Sequence, residues 1–521
     1  MPNDSEANES HRRFRIAGMP LSAIAFLILS ATIMLIRSHY HLLWADEFGV
    51  AFTSIIPGGV SRLIQVELTQ PFSFDPIAYN VLMHTVVNVS GINAFFMRLP
   101  SMCGYLLMQI CLFYFVRRVS TERAATFALA FPALAGIVSY SIQARPYALL
   151  LGLSALTMLS WQTATRRDSR RTLALVILSL SLALVVNTQY YGVLLFVPLC
   201  AAESIRVIER RRADVPVLVS IFAGMSGLIV AMPFAKALSQ FSANHLPTEV
   251  NYHFITHSYL WLVFGYDDVS VHMQRLIGFG LALFLISLIA GFVGLRSRVA
   301  LRLPHAEAAF VLILSAFPIL VYLLARFVTH FAESRYIQPA IIGITAILAV
   351  LMASLLERKT TGRIVLVSLF AAIAISGFFR IRSEKEQGLS TMASLALDPV
   401  TQRSLGATPD QPIYVANSTV FFIVGTYSPS PDLRSRIMVV YPEDPDYFSG
   451  VAADVYRQQA NGRAAGIRNI VPYELVSKPG TEHLLLLYHN GWIDQALSAS
   501  HAQITYLGQV YGGDLVSVRF P

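Results

Sequence analysis

The chain has 521 residues, 55% of them hydrophobic and only 13% charged, against roughly 45–50% apolar and 25% charged residues in a soluble domain. That balance excludes an ordinary soluble protein and points to a membrane protein. The net charge of +8 would suit a nucleic-acid binder if the basic residues shared one face, but they recur in small groups between apolar runs, so no nucleic-acid partner is expected.

In chain order, apolar runs fall at residues 17–36, 99–116, 124–142, 146–165, 172–187, 190–205, 215–235, 276–295, 307–325, 336–356 and 364–379. Most reach the ~17–25 residues that a membrane-crossing helix needs. The connections between them alternate in charge. One set, from the tail with Arg12, Arg13 and Arg15 to "ERKTTGR", holds 20 basic residues, whereas the other holds 8 up to residue 379. Basic residues are retained on the cytoplasmic side. The expectation is therefore a polytopic α-helical membrane protein of about eleven spans, with a cytoplasmic tail at residues 1–16 and the C-terminal segment outside. The stretch Thr172 to Ala202 is uncharged and broken only by "NTQYYG". Two short spans there keep the charge alternation, and a single one would reverse every later loop. The first run lacks a small-residue cleavage site and reads as a retained anchor. Cys103, Cys111 and Cys200 all lie within spans, so neither a disulfide framework nor a cysteine metal site is expected.

Two outer loops are long. Residues 38–94 carry aromatic and apolar patches suited to short amphipathic helices at the interface, and residues 236–274 form the second loop. From about residue 388 the pattern changes to strand-like runs, "PIYVAN", "RIMVVY", "HLLLLYHN" and "QITYLGQVYGGDLVSVRF", alternating with helix-like "DVYRQQANGRAAG" and "GWIDQALSASH". Residues 388–521 are thus read as a soluble α/β domain that guides the acceptor and is separable from the chemistry. A chain ending near Ser383 is expected to keep some activity.

Adjacent carboxylates, Asp46 and Glu47 in "HLLWADEFG", follow the first span at once. By themselves they read as a polar helix end on the outer side. Isolated cations stand on the same side: Arg98 in "FFMRLPS", Arg145 in "QARPYALL" and Arg335 in "ESRYIQPA". The positive-inside trend disfavours them there; a bound phosphate explains them, and so does an interfacial anchoring role for each. His245, His253, His257 and His272 gather in the second loop with Asp267 and Asp268, which leaves a divalent metal open. Asp444 and Asp446 form a D-x-D pattern of low specificity, read as an acidic loop.

The order "ADE" after the first span, "RLPS", "ARPYALL", "TQYYGVLL" and "SRYIQPA" over residues 15–380 resembles the GT-C glycosyltransferases. It is most similar to the bacterial protein O-mannosyltransferase and aminoarabinose-transferase group. That resemblance implies a GT-C-like transmembrane catalytic domain at residues 17–380 in the bacterial cytoplasmic (inner) membrane. Its activity would be sugar transfer from a polyprenyl-phosphate donor to an acceptor glycan, lipid or protein on the outer face. Carried over residue by residue, it implies Asp46 as catalytic base, Glu47 as its support, and Arg98, Arg145 and Arg335 as donor-phosphate ligands. Asp75, in "FDPIAYN", stands where relatives often show a His, and with Tyr190 and Tyr191 it is a candidate for acceptor or loop contacts. No cofactor is required by this reading, and no metal ligand is assigned. The alternatives are a carbohydrate polymerase or ligase using the same lipid donor and, in a different class, a transporter or flippase for a lipid-linked sugar; no internal repeat of the transporter kind stands out.

Overall fold

The computed structural model describes residues 15–16, 18–71, 73–166, 169–242, 250–265, 303–443, 451–488 and 491–521. Among them, seven helices are long and apolar enough to cross a membrane, and two sharply bent helix pairs bring the number to nine. In chain order the helices begin with α1 (Leu21–Tyr40), α2 (Ala45–Ser54), α3 (Gly59–Thr69), α4 (Ile77–Ser90), α5 (Ala94–Val119) and α6 (Glu122–Ala130). There follow α7 (Tyr147–Thr165), α8 (Arg171–Thr188), α9 (Phe196–Arg210), α10 (Val215–Ser242) and α11 (His253–Phe264). Next come α12 (His305–Ser315), α13 (Phe317–Leu324), α14 (Ala340–Leu351), α15 (Ala353–Glu357) and α16 (Lys359–Ser394). The expected run at 336–356 is the shorter apolar helix α14, and the run at 276–295 lies outside the described residues. The eleven-span count is therefore approximate.

The helices form as the sequence dictates: long apolar stretches leave each backbone polar group only its own helix as partner once water is gone. Leu173, Val176, Leu180 and Leu184 on α8, and Val215, Val219, Phe222 and Ile229 on α10, remain exposed at helical spacing, as a lipid-facing stripe requires. Between α5 and α7 the backbones nearly touch, and a Cβ on Gly152 would sit 2.4 Å from the Gly104 carbonyl oxygen, so small residues set that crossing. The ambiguous stretch after Thr172 is two helices, with Gln189 capping α8 before a 3₁₀ turn at Tyr190–Leu195 leads into α9.

Past the bundle lie α17 (Pro399–Ala407), β1 (Ile413–Val415), α18 (Ser418–Tyr427), α19 (Pro431–Arg436), β2 (Ile437–Tyr441), α20 (Val451–Ala464), β3 (Ile470–Pro472), α21 (Tyr473–Val476), β4 (Glu482–Leu487), α22 (Trp492–Ala499), β5 (Gln503–Val510) and β6 (Gly513–Arg519). The six strands make one sheet in the order β3-β2-β1-β4-β6-β5. β3, β2, β1 and β4 run parallel, and β6 and β5 close the edge as an antiparallel hairpin.

This domain is not detached from the bundle. Helix α16 continues to Ser394, beyond the expected limit at 380, and Glu384 on it makes a buried bidentate pair with Arg37 of α1, Nε to Oε1 at 3.0 Å and Nη2 to Oε1 at 2.6 Å. Phe48 of α2 stacks on Phe422 of α18 with ring centroids 4.8 Å apart, Phe52 meets the same ring edge-on at 4.5 Å, and the backbone N–H of Leu43 donates to Tyr427 Oη at 2.8 Å. The helices expected to lie singly at the interface therefore share a hydrophobic core with the sheet domain, since Phe48, Leu63 and Met83 belong to the same buried cluster as Val415, Val424 and Leu484.

Candidate active site

Asp46 and Glu47 occupy the first turn of α2, where successive side chains diverge by about 100°. Glu47 turns inward and meets Arg98 of α5, both side chains having zero exposure. Arg98 Nε donates to Glu47 Oε1 at 2.9 Å and Nη2 to Oε2 at 2.7 Å. Its Nη1 serves the carbonyls of Ser38 and His41, and its Nη2 also that of Leu42. Glu47 in turn accepts the backbone N–H groups of Trp44 at 3.3 Å and Ala144 at 2.6 Å. One buried knot thus ties the end of α1, the start of α2, α5 and the segment entering α7. The phosphate role expected of Arg98 does not fit this geometry, because both its faces are committed to a carboxylate and three carbonyls with no exposure. Glu47 is held wholly within this knot.

Asp46 points the other way and stays 29% exposed. Arg335 Nη1 contacts its Oδ2, and Arg145 Nη2 lies 4.0 Å from the same oxygen, so Oδ1 carries neither ion pair. Arg145 Nη1 donates to the Asp46 carbonyl at 3.2 Å and stands 3.5 Å from Asp75 Oδ2. Arg145 Nη2 donates to Tyr147 Oη at 3.0 Å. Both guanidinium groups lie over the Tyr147 ring, 5.4 Å and 5.9 Å from its centroid, which favours two cations side by side. Glu333 Oε2 is 2.5 Å from Arg335 Nε. Asp75 is buried beneath Arg145, and that burial raises its carboxyl above the ordinary range while Arg145 pulls it back.

Local breaks in the helices deliver these groups. The chain bends by 73° between Glu122–Ala133 and Gly136–Ile142, the turn that precedes Arg145, and by 57° between His305–Ser315 and Phe317–Thr329, the helical segment that precedes Arg335. At the first break a Cβ on Gly136 would come within 2.4 Å of the Trp261 carbonyl oxygen, so glycine is required where α11 packs. Tyr191 stacks on Tyr336 at 4.7 Å and its hydroxyl bonds Thr329 Oγ1 at 2.6 Å, which braces the Arg335 segment without reaching the cluster. Tyr190 lines a narrow cleft with Glu67, Ser73 and Asp75.

Sequence reasoning missed Tyr147, Glu333 and Tyr336. All three stand inside the motifs that supplied the arginines, "ARPYALL" and "ESRYIQPA", so an aromatic or acid within two residues of a misplaced arginine was the available signal. Of the histidines considered for a metal, His253 and His257 lie on α11, and His257 Nδ1 is 3.1 Å from Ser334 Oγ. His245, His272, Asp267, Asp268, Asp444 and Asp446 fall outside the described residues. Among the described residues, no group of three His, Cys, Asp or Glu side chains is placed to hold a metal ion.

Residues 75–236 match the family model of dolichyl-phosphate-mannose-protein mannosyltransferases, a stretch that contains Asp75, Arg98, Arg145, Tyr190 and Tyr191. Among solved structures, ArnT from Cupriavidus metallidurans bound to undecaprenyl phosphate superposes with a TM-score of 0.58 at 14% identity, covering 95% of this chain and 97% of that one. The fold is that of the GT-C glycosyltransferases. The apo form of the same ArnT gives a TM-score of 0.59 at 13% identity over the same shares of both chains. The Archaeoglobus fulgidus oligosaccharyltransferase AglB, in complex with an inhibitory peptide and a dolichol-phosphate, gives 0.45 at 11% identity, covering 89% of this chain and 69% of that one. No curated protein sequence matches the chain. The GT-C likeness to ArnT takes in the sheet domain as well as the bundle, because nearly the whole of both chains is covered.

Proposed function

We propose that the chain is a glycosyltransferase of the bacterial cytoplasmic membrane that moves a sugar from a polyprenyl-phosphate donor to an acceptor hydroxyl on the outer face. The observation that carries this reading is the pairing of a half-open carboxylate, Asp46, with two guanidinium groups stacked on one tyrosine ring. An acceptor hydroxyl becomes a competent nucleophile when a positioned carboxylate takes its proton, a contribution of roughly 10²–10⁴ in rate. Asp46 carries both ion pairs on one oxygen and has the other oxygen for that proton. As the acceptor oxygen bonds to the anomeric carbon, the bond from that carbon to the phosphate oxygen breaks, and the electron pair leaves on the lipid phosphate. That phosphate gains negative charge, which Arg145 and Arg335 are placed to stabilise. Attack from the side opposite the leaving group inverts the anomeric centre.

The basic-residue split puts the N-terminus inside and the cluster outside, where lipid-linked sugars rather than nucleotide sugars are the donors. The support from relatives is the undecaprenyl phosphate bound to ArnT and the mannosyltransferase family model over residues 75–236. Discontinuous spans are the mark of the transporter alternative; here the second limb of each bent pair leads along the chain to the Arg145 and Arg335 segments, which gives the breaks a use within the cluster.

The test is single-turnover transfer in lipid nanodiscs, from a radiolabelled polyprenyl-phosphate sugar to envelope acceptors of a deletion strain. Asp46→Asn is expected to cut the rate by ~10²-fold or more with donor binding nearly unchanged. Transfer by Asp46→Asn at the parent's rate would falsify the mechanism.

A further inference from the structure

The sheet domain holds a second cavity-bearing region that the transfer chemistry does not use. β1 is paired in parallel with β2 on one side and with β4 on the other. The chain leaves β1 towards β2 and β3, then returns on the opposite side as β4. At such a reversal the connections diverge, and a crevice opens beyond the carboxyl ends of the two central strands. A cavity of about 370 Å³ lies there, lined from the β1 side by Asn417, Ser418 and Thr419, and from the β4 side by Tyr488, Gly491 and Trp492. Its volume falls within the roughly 300–1,000 Å³ of small-molecule sites.

The lining selects a ligand class. Asn417, Ser418 and Thr419 offer amide and hydroxyl groups, and Tyr456, Tyr488 and Trp492 offer rings; no charged side chain lines the cavity among the described residues. Trp492 is fixed edge-on between Tyr456 at 6.0 Å and Tyr473 at 5.4 Å, and Tyr488 Oη is anchored on the Tyr511 carbonyl at 2.8 Å. A nucleotide phosphate is poorly served. The turn from β1 to α18 is only Ala416 and Asn417, without a glycine-rich loop, and Asn417 Oδ1 already accepts the N–H groups of Thr419 and Val420. Fixed aromatic rings beside neutral hydroxyl and amide groups match a sugar ring, whose C–H faces pack on aromatics while its hydroxyls exchange hydrogen bonds.

The cleft is also tied to the active site. It lies at the N-terminus of α18, and that ten-residue helix, about 15 Å long, packs Phe422 on α2 and ends with Tyr427 bonded to Leu43, three residues before Asp46. Thr419 lines in addition a cavity of about 200 Å³ with Leu42, Trp44, Gln387 and Thr391. We infer that the cleft between β1 and β4 binds an uncharged saccharide unit of the acceptor, away from the hydroxyl that reacts. The acceptor is then a carbohydrate or glycolipid, which deepens the transferase reading and rests on it.

Gly491 gives a clean way to close the cleft. A Cβ there meets no atom within 4 Å, and the backbone is extended at φ −176°, so a side chain at 491 starts without clash or backbone strain and Gly491→Phe sets a ring at the cleft wall. Saturation-transfer NMR on the full protein in nanodiscs, with neutral methyl hexosides and disaccharides as probes, is expected to show binding to the parent and to Asp46→Asn. Gly491→Phe should weaken it by at least ~10-fold at unchanged melting temperature and donor binding. Equal binding by Gly491→Phe, or displacement of the sugar by uridine diphosphate or inorganic phosphate, overturns the proposal. If Gly491→Phe melts early, Ser418→Ala decides: it should bind a few-fold more weakly, and parent-like affinity also overturns it. Sugar binding by Asp46→Asn separates this result from any failure of the transfer mechanism, because it needs no turnover.

Discussion

Two carboxylates one residue apart meet opposite fates in this molecule. Glu47 and Arg98 form a sealed bidentate pair with every neighbouring group a backbone partner, whereas Asp46 meets Arg145 and Arg335 in a cluster that retains an opening. The pairings look alike in sequence and differ in solvation. A sealed pair cannot exchange partners without leaving a charge uncompensated, so it acts as a fixed joint. An open pair leaves its cations within reach of a phosphate beside the carboxylate, and that access is what a donor site needs. The joint also locates the opening, because Glu47 holds Ala144, next to Arg145, at 2.6 Å.

Breaking the joint should have the largest effect. Glu47→Gln leaves Arg98 buried without its counter-charge, and a loss of about 3–5 kcal/mol of stability is expected. Thermal unfolding in nanodiscs measures it; restoration by the double variant Glu47→Gln with Arg98→Met would show the cost to be electrostatic, and an unchanged melting point would refute the joint. Loosening the contact that holds α2 from the other side comes next. Phe422→Ala removes the ring stacked on Phe48 and should cost about 3–5 kcal/mol at most, less where α18 relaxes into the gap. The informative reading is a lower transfer rate at unchanged donor affinity, which a separable domain would not produce.

A smaller effect is expected at the open cluster. Arg145→Lys and Arg335→Lys keep a charge but lose the planar fork and the contact with the Tyr147 ring, so donor affinity should drop about 10- to 100-fold, in line with the ~1.5–3 kcal/mol of a charge-assisted bond. Arg98→Lys should leave donor affinity untouched where the protein stays folded, and the contrast is read by titrating a polyprenyl phosphate. The smallest effect concerns Asp75. Its carboxyl is raised by burial above the unfolded value of about 4, so the folded protein holds that proton more tightly. The stabilisation is therefore fully present below the unfolded value and is lost as pH rises through the folded one. Asp75→Asn should flatten that part of the stability–pH curve; an identical slope in both proteins would show that Arg145 compensates the burial completely.

How much of this was legible follows from what each signal encodes. Hydropathy located most of the spans among the described residues because burial in lipid demands length and apolarity. The cations on the disfavoured side led to Arg145 and Arg335, but the same signal led to Arg98, since charge does not say whether a side chain meets solvent. No element is read from the sequence for the run "STVFFIVGTY"; its β-branched and aromatic residues favour strand, yet it is α18, started by Asn417 accepting two N–H groups and held by aromatic packing on α2. The end of α16 was hidden for a different reason: "IRSEKEQGLSTMAS" is too polar for a span and continues as helix along the sheet domain.

That uninterrupted helix has a mechanical consequence. At 36 residues α16 is about 54 Å long, well beyond the ~30 Å hydrocarbon core, and Glu384 clamps it to α1. A rigid shaft converts chain length into angle: deleting one residue between Phe379 and Glu384 would lower the sheet domain by only ~1.5 Å but turn it by ~100° about the shaft. The segment therefore tolerates changes of residue and rejects changes of length, and the angular phase of α16 is a hidden setting that aims α18 at α2.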